Sequence, residues 1–414
     1  MEKDVYFVYN TSRLFERGVL FMKIMSINAG SSSLKFSLFD MDNEKVIASG
    51  LFERIGIEQS CYTIKYNGEK IKQEIDLPDH SVAVSILLEK LIELDIIKSL
   101  DEIDGIGHRV VSGGDRYSES ILVNDKVVKD IEDLKDYAPL HNPAHVLGIN
   151  AFREALPNVP MSVVFDTAFH QTMDPVSYLY PVPYSWYEDY KVRKYGAHGT
   201  SHRYIALTIA DELKRDDLKV ISCHLGNGGS ISAIKDGKCV DTSMGFTPLA
   251  GIMMGTRSGD IDPSIIPFVM EKEGKNASEI ISDLNKKSGF LGLSCLSSDS
   301  RDVEDGVAEG NEKCILAQEK YIRTIVDYIA RYYVLLGGCD VLCFTAGIGE
   351  NSKLVRASVI EKLECLGFKL DNEANDVRGE FRKISSDDSS SLIYILPTDE
   401  ELMIARDTLN LINR

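Results

Sequence analysis

The hydrophobic pattern of this chain switches repeatedly between the two-residue period of strands and the wider spacing of helices. An apolar run, Ile24-Met25-Ser26-Ile27, leads into the small-residue octet Asn28-Ala29-Gly30-Ser31-Ser32-Ser33-Leu34-Lys35, then an alternating strand, a polar turn and a third strand at Val46-Ile47-Ala48. The spacing next predicts an amphipathic helix over 82–94 and a strand over 106–111 that delivers His108 and Arg109 at its end. Asn142-Pro143 opens a helix through Leu156, with asparagine at the cap and proline in the first turn. A short buried strand over 162–165 ends on Asp166-Thr167, and a helix follows near 201–213. A long helical run spans 311–336, with Ile315, Ile322, Ile325, Val326, Ile329 and Leu336 forming a stripe for core packing or a dimer seam. A strand over 341–345 feeds Ala346-Gly347-Ile348-Gly349-Glu350-Asn351 and a helix to Cys365, stopped by Gly367. The serine and aspartate run 385–391 reads as a mobile loop. Strands alternating with helices in this way define an α/β fold.

One part of the pattern occurs twice. The stretch from Ser222 to Gly237 repeats that from Ser26 onward in constant register, with Gly226 on Gly30 and Asp236 on Asp40, and Cys239-Val240 stands where the third strand is expected. A glycine and serine turn at a strand end lets backbone N–H groups and hydroxyls converge on an anion, and Lys35 adds a charge. Alone, the octet is equally well a plain hairpin. The second copy favours two related lobes that grip one polyphosphate.

Length agrees, because 414 residues exceed what one hydrophobic core usually serves. With 44% hydrophobic and 27% charged residues the chain has ordinary globular composition. Its formal net charge of −18 argues against nucleic acid or an anionic membrane as partner, so an anionic ligand must be held by local arginines, lysines and backbone N–H groups. No run is long and apolar enough to span a membrane. The eight cysteines form no CxxC pair and read as small buried hydrophobes of a cytoplasmic protein, not as a metal cage. Residues 1–21 fit neither a signal peptide nor the fold that follows, and Met22 is the expected start of the folded chain.

In order, the chain carries NAGSSSLK, GHRVVSGGD, APLHNP, FDTAFH, YGAHGTSH, HLGNGGS, MGTRSGDID, AGIGEN and PTDEEL. From Met22 to the C-terminus it resembles the acetate/propionate/butyrate kinase family, within the sugar kinase, Hsp70 and actin superfold. The resemblance implies an α/β protein of two similar lobes of duplicated ribonuclease H-like ββαβαβα topology with an ATP cleft between them. The first lobe is expected to hold 22–166 plus 402–414, and the second 167–401. The implied reaction is reversible, Mg²⁺-dependent transfer of the ATP γ-phosphoryl group to a short carboxylate, with Mn²⁺ as an alternative metal. The implied assembly is a homodimer.

A carboxylate acceptor is already ionised at neutral pH, so this reaction needs cations and positioned donors more than it needs a base. Arg109 and Arg257 match the family arginines that hold carboxylate and phosphoryl oxygens, and their planar forks suit both. His198 matches the histidine that stabilises the transferring group. Asp166 matches the residue assigned as catalytic in the family, and we read it as positioning an arginine or Mg²⁺. His141 is a substrate-side candidate. Nucleotide contacts are expected from Lys35, from His224, Leu225, Gly226, Asn227 and Gly228, from Asp299, Ser300 and Arg301, and from Gly347, Ile348, Gly349, Glu350 and Asn351. Asn28 and Glu400 match the metal pair, although Thr398 and Glu401 also form a capping-box pattern at the start of a helix.

Two positions depart from the family. Ala197 stands where an aromatic usually precedes the catalytic histidine, and Ser112 stands where a histidine usually follows HRVV. The usual aromatic lines the pocket for the acetate methyl with the positions of Val111, Leu140 and Pro248, so its loss should enlarge that pocket. Acetate is the first expectation, with propionate, butyrate or a longer acid as the alternative. An ATP-driven conformational switch of the actin or Hsp70 type is the alternative of another class.

Overall fold

A computed structural model describes residues 22–138 and 141–414 of the chain. The expectations for residues 1–21 and for Leu140 lie outside the described residues.

The first sheet is built from β1 (Lys23–Gly30), β2 (Ser33–Asp40), β3 (Lys45–Glu53), β4 (Cys61–Tyr66), β5 (Glu69–Glu74), β6 (Gly105–Val110), β7 (Ile121–Leu122) and β8 (Met161–Phe165), in the order β5-β4-β3-β2-β1-β6-β8-β7. The second contains β9 (Lys219–Leu225), β10 (Gly229–Lys235), β11 (Lys238–Thr242), β12 (Val341–Thr345), β13 (Arg382–Lys383) and β14 (Leu392–Ile395), in the order β11-β10-β9-β12-β14-β13. The segment β3-β2-β1-β6-β8 therefore has the same wiring as β11-β10-β9-β12-β14: an antiparallel meander whose first strand pairs in parallel with a later one. The sequence repeat is this shared wiring. Both readings of the first octet meet here, since β1 and β2 close a two-residue hairpin over Ser31 and Ser32.

Each sheet has its own core. Met25, Ile27, Phe36 and Phe52 pack with Leu87 and Leu91 of the helix His80–Glu93, and Ile221, Ile231 and Phe344 pack with Ile322, Ile325 and Ile329 of the helix Glu312–Leu336. Each such side chain contributes about 1.5–3 kcal/mol by leaving water. The apolar stripe of the long helix is thus consumed by its own sheet and does not form a dimer seam, because β9 and β10 lie against that face. The C-terminal helix Glu400–Ile412 lies on β1, β6 and β8, so the chain's end returns to the first sheet.

Several local expectations shift. Asn142 is the first helical residue and not the cap, because its buried side chain accepts from the Ser112 amide at 3.3 Å and donates to the Ser112 carbonyl at 3.1 Å. Asp399, not Thr398 with Glu401, caps the last helix, accepting from the Leu402 amide at 2.8 Å. The helix expected to run to Cys365 breaks at Ser352, which caps a new helix, Lys353–Lys362. The serine run is held down: Ser385 pairs with Leu370, and the Ser391 hydroxyl donates to the Cys339 carbonyl at 2.7 Å. Among the described residues no helix is long and apolar enough to cross a membrane. All eight cysteines are free.

Candidate active site

Open sheets with parallel strands collect their functional loops beyond the carboxyl ends of those strands, and both sheets do so here. Arg109 lies at the end of β6, and Asp166 follows β8, its amide donating to the Val110 carbonyl at 2.9 Å. The Arg109 fork grips Asp166 bidentately, Nε to Oδ1 at 3.0 Å and Nη2 to Oδ2 at 2.7 Å, and Glu400 Oε2 stands 3.9 Å from the same Nη2. Burial works against the charge on Arg109, but the carboxylates of Asp166 and Glu400 outweigh it and hold the guanidinium protonated. Burial pushes the Asp166 carboxyl up, with the Arg109 charge pulling against it. Both Asp166 oxygens are engaged by arginine N–H groups, so this carboxylate is poorly placed to take a proton from a substrate.

The loop that carries His198 is pinned onto this cluster. The Gly199 amide donates to the Asp166 carbonyl at 2.9 Å, and a Cβ at Gly199 would stand 2.2 Å from that oxygen, so only glycine fits. His198 itself sits in the left-handed region with φ 58°, at the start of the helix Gly199–Leu213. Strained non-glycine residues of this kind cluster at functional sites. Its Nδ1 lies 2.9 Å from the Ser230 hydroxyl, and its ring stacks on His224 at 4.1 Å between centroids. Burial pushes the His198 pKa well below the usual value, with the charges of His224, Arg109 and Arg257 adding to the fall. Burial likewise lowers His224 to about 4.

Arg257 completes the constellation from the second sheet's side. Its Nη1 donates to the Pro248 carbonyl at 2.7 Å, and its Nη2 lies 2.4 Å from where a Cβ on Gly228 would be, so the glycine loop and the guanidinium share one surface. Burial depresses its pKa, and among the described residues no carboxylate pairs with it. A half-buried arginine that no described carboxylate neutralises, in a chain of net charge −18, suits an anionic ligand.

The other expected site residues are spread around this centre. Val111 is buried one strand position beyond Val110, whereas His141 is exposed just before the helix Asn142–Ala155. The Ala197 methyl is buried against Met244 and Met254. Lys35 pairs with Glu401 across from Asn28 on the β1–β2 hairpin. His224, Gly226, exposed Asn227 and Gly228 form the β9–β10 turn, while the Leu225 side chain faces the core, leaving only its backbone to the cleft. Asp299 caps the helix Ser300–Ala308 and is gripped by Arg301 at 2.5 Å. After β12, Gly347 and Asn351 are exposed and Ile348 is in the core. Glu350 turns inward, accepting from the Ala346 amide at 2.7 Å and the Thr398 amide at 3.2 Å, so it braces the loop.

A sequence model of the acetokinase family matches residues 23–406. The chain belongs to the acetokinase family. Members are phosphotransferases acting on a carboxylate and use ATP with a divalent metal. The chain is 56% identical over 393 residues to the acetate kinase of Anoxybacillus flavithermus, covering 94% of this chain and 99% of that one, and 56% identical over 391 residues to the acetate kinase of Bacillus subtilis, again covering 94% and 99%. Among solved structures it is similar to Porphyromonas gingivalis acetate kinase (TM-score 0.91, 43% identity, 94% of this chain and 100% of that one) and to a propionate kinase from Francisella tularensis (TM-score 0.90, 41% identity, 94% and 100%). Membership in the acetokinase family sets aside the conformational-switch alternative.

Sequence reasoning singled out His198 and His224 but not the polar residues behind them. Ser230 contacts His198, Ser201 contacts His224, and His170 Nε2 donates to the Ala197 carbonyl at 3.0 Å, while His202 reaches Ser230 and Ser222 reaches His202 one hydrogen bond further back. They lie inside or beside the motifs, so their positions were visible, but which touches which was not.

Proposed function

We propose that this protein transfers the γ-phosphoryl group of ATP reversibly to acetate, giving acetyl phosphate and ADP. The observation that carries the reading is Arg257, a half-buried guanidinium with no carboxylate partner among the described residues, whose charge, like that of Arg109, bears on His198. Two anions must meet here, and charge on the transferring group must be held by groups already in place. Arg109 and Arg257 supply planar, permanently charged forks for the carboxylate and the phosphoryl oxygens. His198 donates to the transferring group, and the acceptor carboxylate attacks without a base. Asp166 holds Arg109 in position.

Asp166, Glu400 and Asn28 offer the oxygen donors a hard divalent cation prefers, and two carboxylates facing one arginine leave negative charge to be balanced. Among the described residues no group of three or more His, Cys, Asp or Glu is placed to hold a metal, so these residues would hold Mg²⁺ together with the nucleotide. When bound, Mg²⁺ neutralises charge across the β- and γ-phosphates. The loops 224–228, 299–301 and 347–351 flank the nucleotide, and lobes of 22–166 with 402–414 and of 167–401 close over it. The protein works in the cytoplasm as a homodimer, and exposed Val176, Tyr184, Trp186 and Tyr190 give the second lobe an apolar surface suited to a second copy.

A second reading, propionate or a longer acid, is favoured by the small Ala197, which stands where the family aromatic lines the acyl pocket, and by the likeness to a propionate kinase. Acyl phosphate trapped as the hydroxamate decides both questions. We expect product with short acids, and kcat/KM compared over acetate, propionate, butyrate and valerate ranks them. Acetate ahead by about tenfold or more ends the enlarged-pocket reading, since one methylene is worth about 1–3 kcal/mol. No product with any short acid overturns the kinase reading.

A further inference from the structure

Behind the two stacked histidines runs a chain of hydrogen bonds whose protons can be arranged in only one satisfactory way. His198 Nδ1 lies 2.9 Å from Ser230 Oγ, Ser230 Oγ lies 2.8 Å from His202 Nε2, and His202 Nδ1 lies 2.9 Å from Ser222 Oγ. Beside it, His224 Nδ1 lies 2.8 Å from Ser201 Oγ. Ser201, Ser222, Ser230 and His202 are fully buried.

Ser222 fixes the direction. Among the described residues its hydroxyl has one partner, His202 Nδ1, and no carbonyl accepts from it. Were His202 protonated on Nδ1, the Ser222 proton would be stranded at a fully buried position with no acceptor among the described residues, the costly outcome for a buried donor. Ser222 therefore donates to His202 Nδ1, which puts the His202 proton on Nε2 and directs it at Ser230. Ser230 has a single proton and two histidine neighbours, so it accepts from His202 and donates to His198 Nδ1. The His198 proton must then be on Nε2. The same reasoning applies to His224, because Ser201 has only His224 Nδ1 to receive its proton. Neither His198 Nε2 nor His224 Nε2 has a partner among the described residues, and neither is sealed off from solvent.

We propose that Ser222, His202 and Ser230 act as positioning residues for His198, and Ser201 for His224, locking both rings as neutral Nε2–H tautomers that aim two adjacent donors into the cleft. A doubly protonated His198 would reverse the whole chain and strand the Ser222 proton. The site thus offers its anions fixed cations in the arginines and neutral donors in the histidines, with the histidine protons held through deep hydroxyls. The catalytic consequence rests on the proposed role of His198, but the tautomers do not.

The test is ¹⁵N-histidine NMR of the full-length protein without substrate at neutral pH, with each ring assigned by single substitution. We expect His198 and His224 each to show a protonated Nε2 and a bare Nδ1. In Ser230→Ala, His198 should lose its fixed tautomer while His224, held by Ser201, keeps its own. In the hydroxamate assay the same substitution should lower kcat by about 10²-fold with KM for ATP little changed, and Ser230→Thr, which keeps the hydroxyl, should restore most of it. A wild-type His198 carrying its proton on Nδ1, or on both nitrogens, overturns the proposal whether or not any variant folds. So does Ser230→Ala with an unchanged His198 spectrum. Failure of the kinase reading is distinguishable, because it appears as no acyl phosphate from wild-type protein whatever the spectra show.

Discussion

Replacing each of the two arginines by alanine should separate activity from stability. Arg257 makes one hydrogen bond, to the Pro248 carbonyl at 2.7 Å, and pairs with no carboxylate among the described residues. Its loss costs about 0.5–1.5 kcal/mol of stability at most, offset in part because a buried charge is removed. Arg109 is different, since Asp166 keeps only 2% side-chain exposure and relies on that fork for both oxygens. Arg109→Ala leaves the carboxylate buried and unpaired, a loss of about 3–5 kcal/mol. Both variants should lose about 10²–10³ in kcat, the usual effect of removing one positioned group from charge developing in a transition state. The pH dependence has a definite sign. Burial raises the Asp166 carboxyl above 3.8, Glu400 adds to the rise, and removing Arg109 takes away the main opposing charge and leaves only the smaller effect of His141, so the variant's stability is retained below the unfolded value and lost as pH climbs through the raised one. The stability gap between Arg109→Ala and wild type should therefore widen from about pH 5 to about pH 8. Urea unfolding at both pH values, beside the hydroxamate assay, measures all of this. Equal stability losses in the two variants, or a gap that does not widen with pH, would refute the reasoning.

Other outcomes follow from the same geometry. Gly199→Ala forces a methyl toward the Asp166 carbonyl, 2.2 Å from its Cβ, and by shifting His198 against Asp166 should cost about 10²-fold in kcat, read by single-turnover kinetics. Among the described residues His108 Nε2 and both ring nitrogens of His145 are buried without a hydrogen-bond partner, and burial holds each histidine at about 3, so stability is full above 6.5 and falls as pH drops toward 3; a urea midpoint unchanged over that range would contradict it. Chelation by EDTA should stop acyl phosphate formation, with Mg²⁺ and then Mn²⁺ restoring it; full activity in EDTA would remove Asn28 and Glu400 from consideration. Ala197→Phe should lower kcat/KM for propionate and butyrate more than for acetate, by about tenfold per added methylene, and equal losses for all acids would separate Ala197 from chain-length choice.

What the sequence determined by itself was the class of molecule and the candidates for its reactive groups. The α/β alternation, the repeated hairpin and the end-of-strand positions of Arg109, Asp166 and His224 are local or periodic properties, and hydrophobic spacing with turn chemistry records them directly. Tertiary structure decided what each group is bonded to. Asn142 looked like a cap until the Ser112 loop came within reach, and the stripe on 311–336 looked free until β9 and β10 covered it. Lys35 and Glu350, both expected at the nucleotide, found carboxylate and amide partners from the chain's far end. Leu225 and Ile348 share motifs with the glycines but turn into the core, because neighbouring positions point to opposite sides of a strand or helix. Above all, among the described residues one arginine acquired a carboxylate while the other did not, and three serines fixed where the histidine protons lie. These depend on distances between segments far apart in sequence, where a shift of one ångström makes or removes a hydrogen bond.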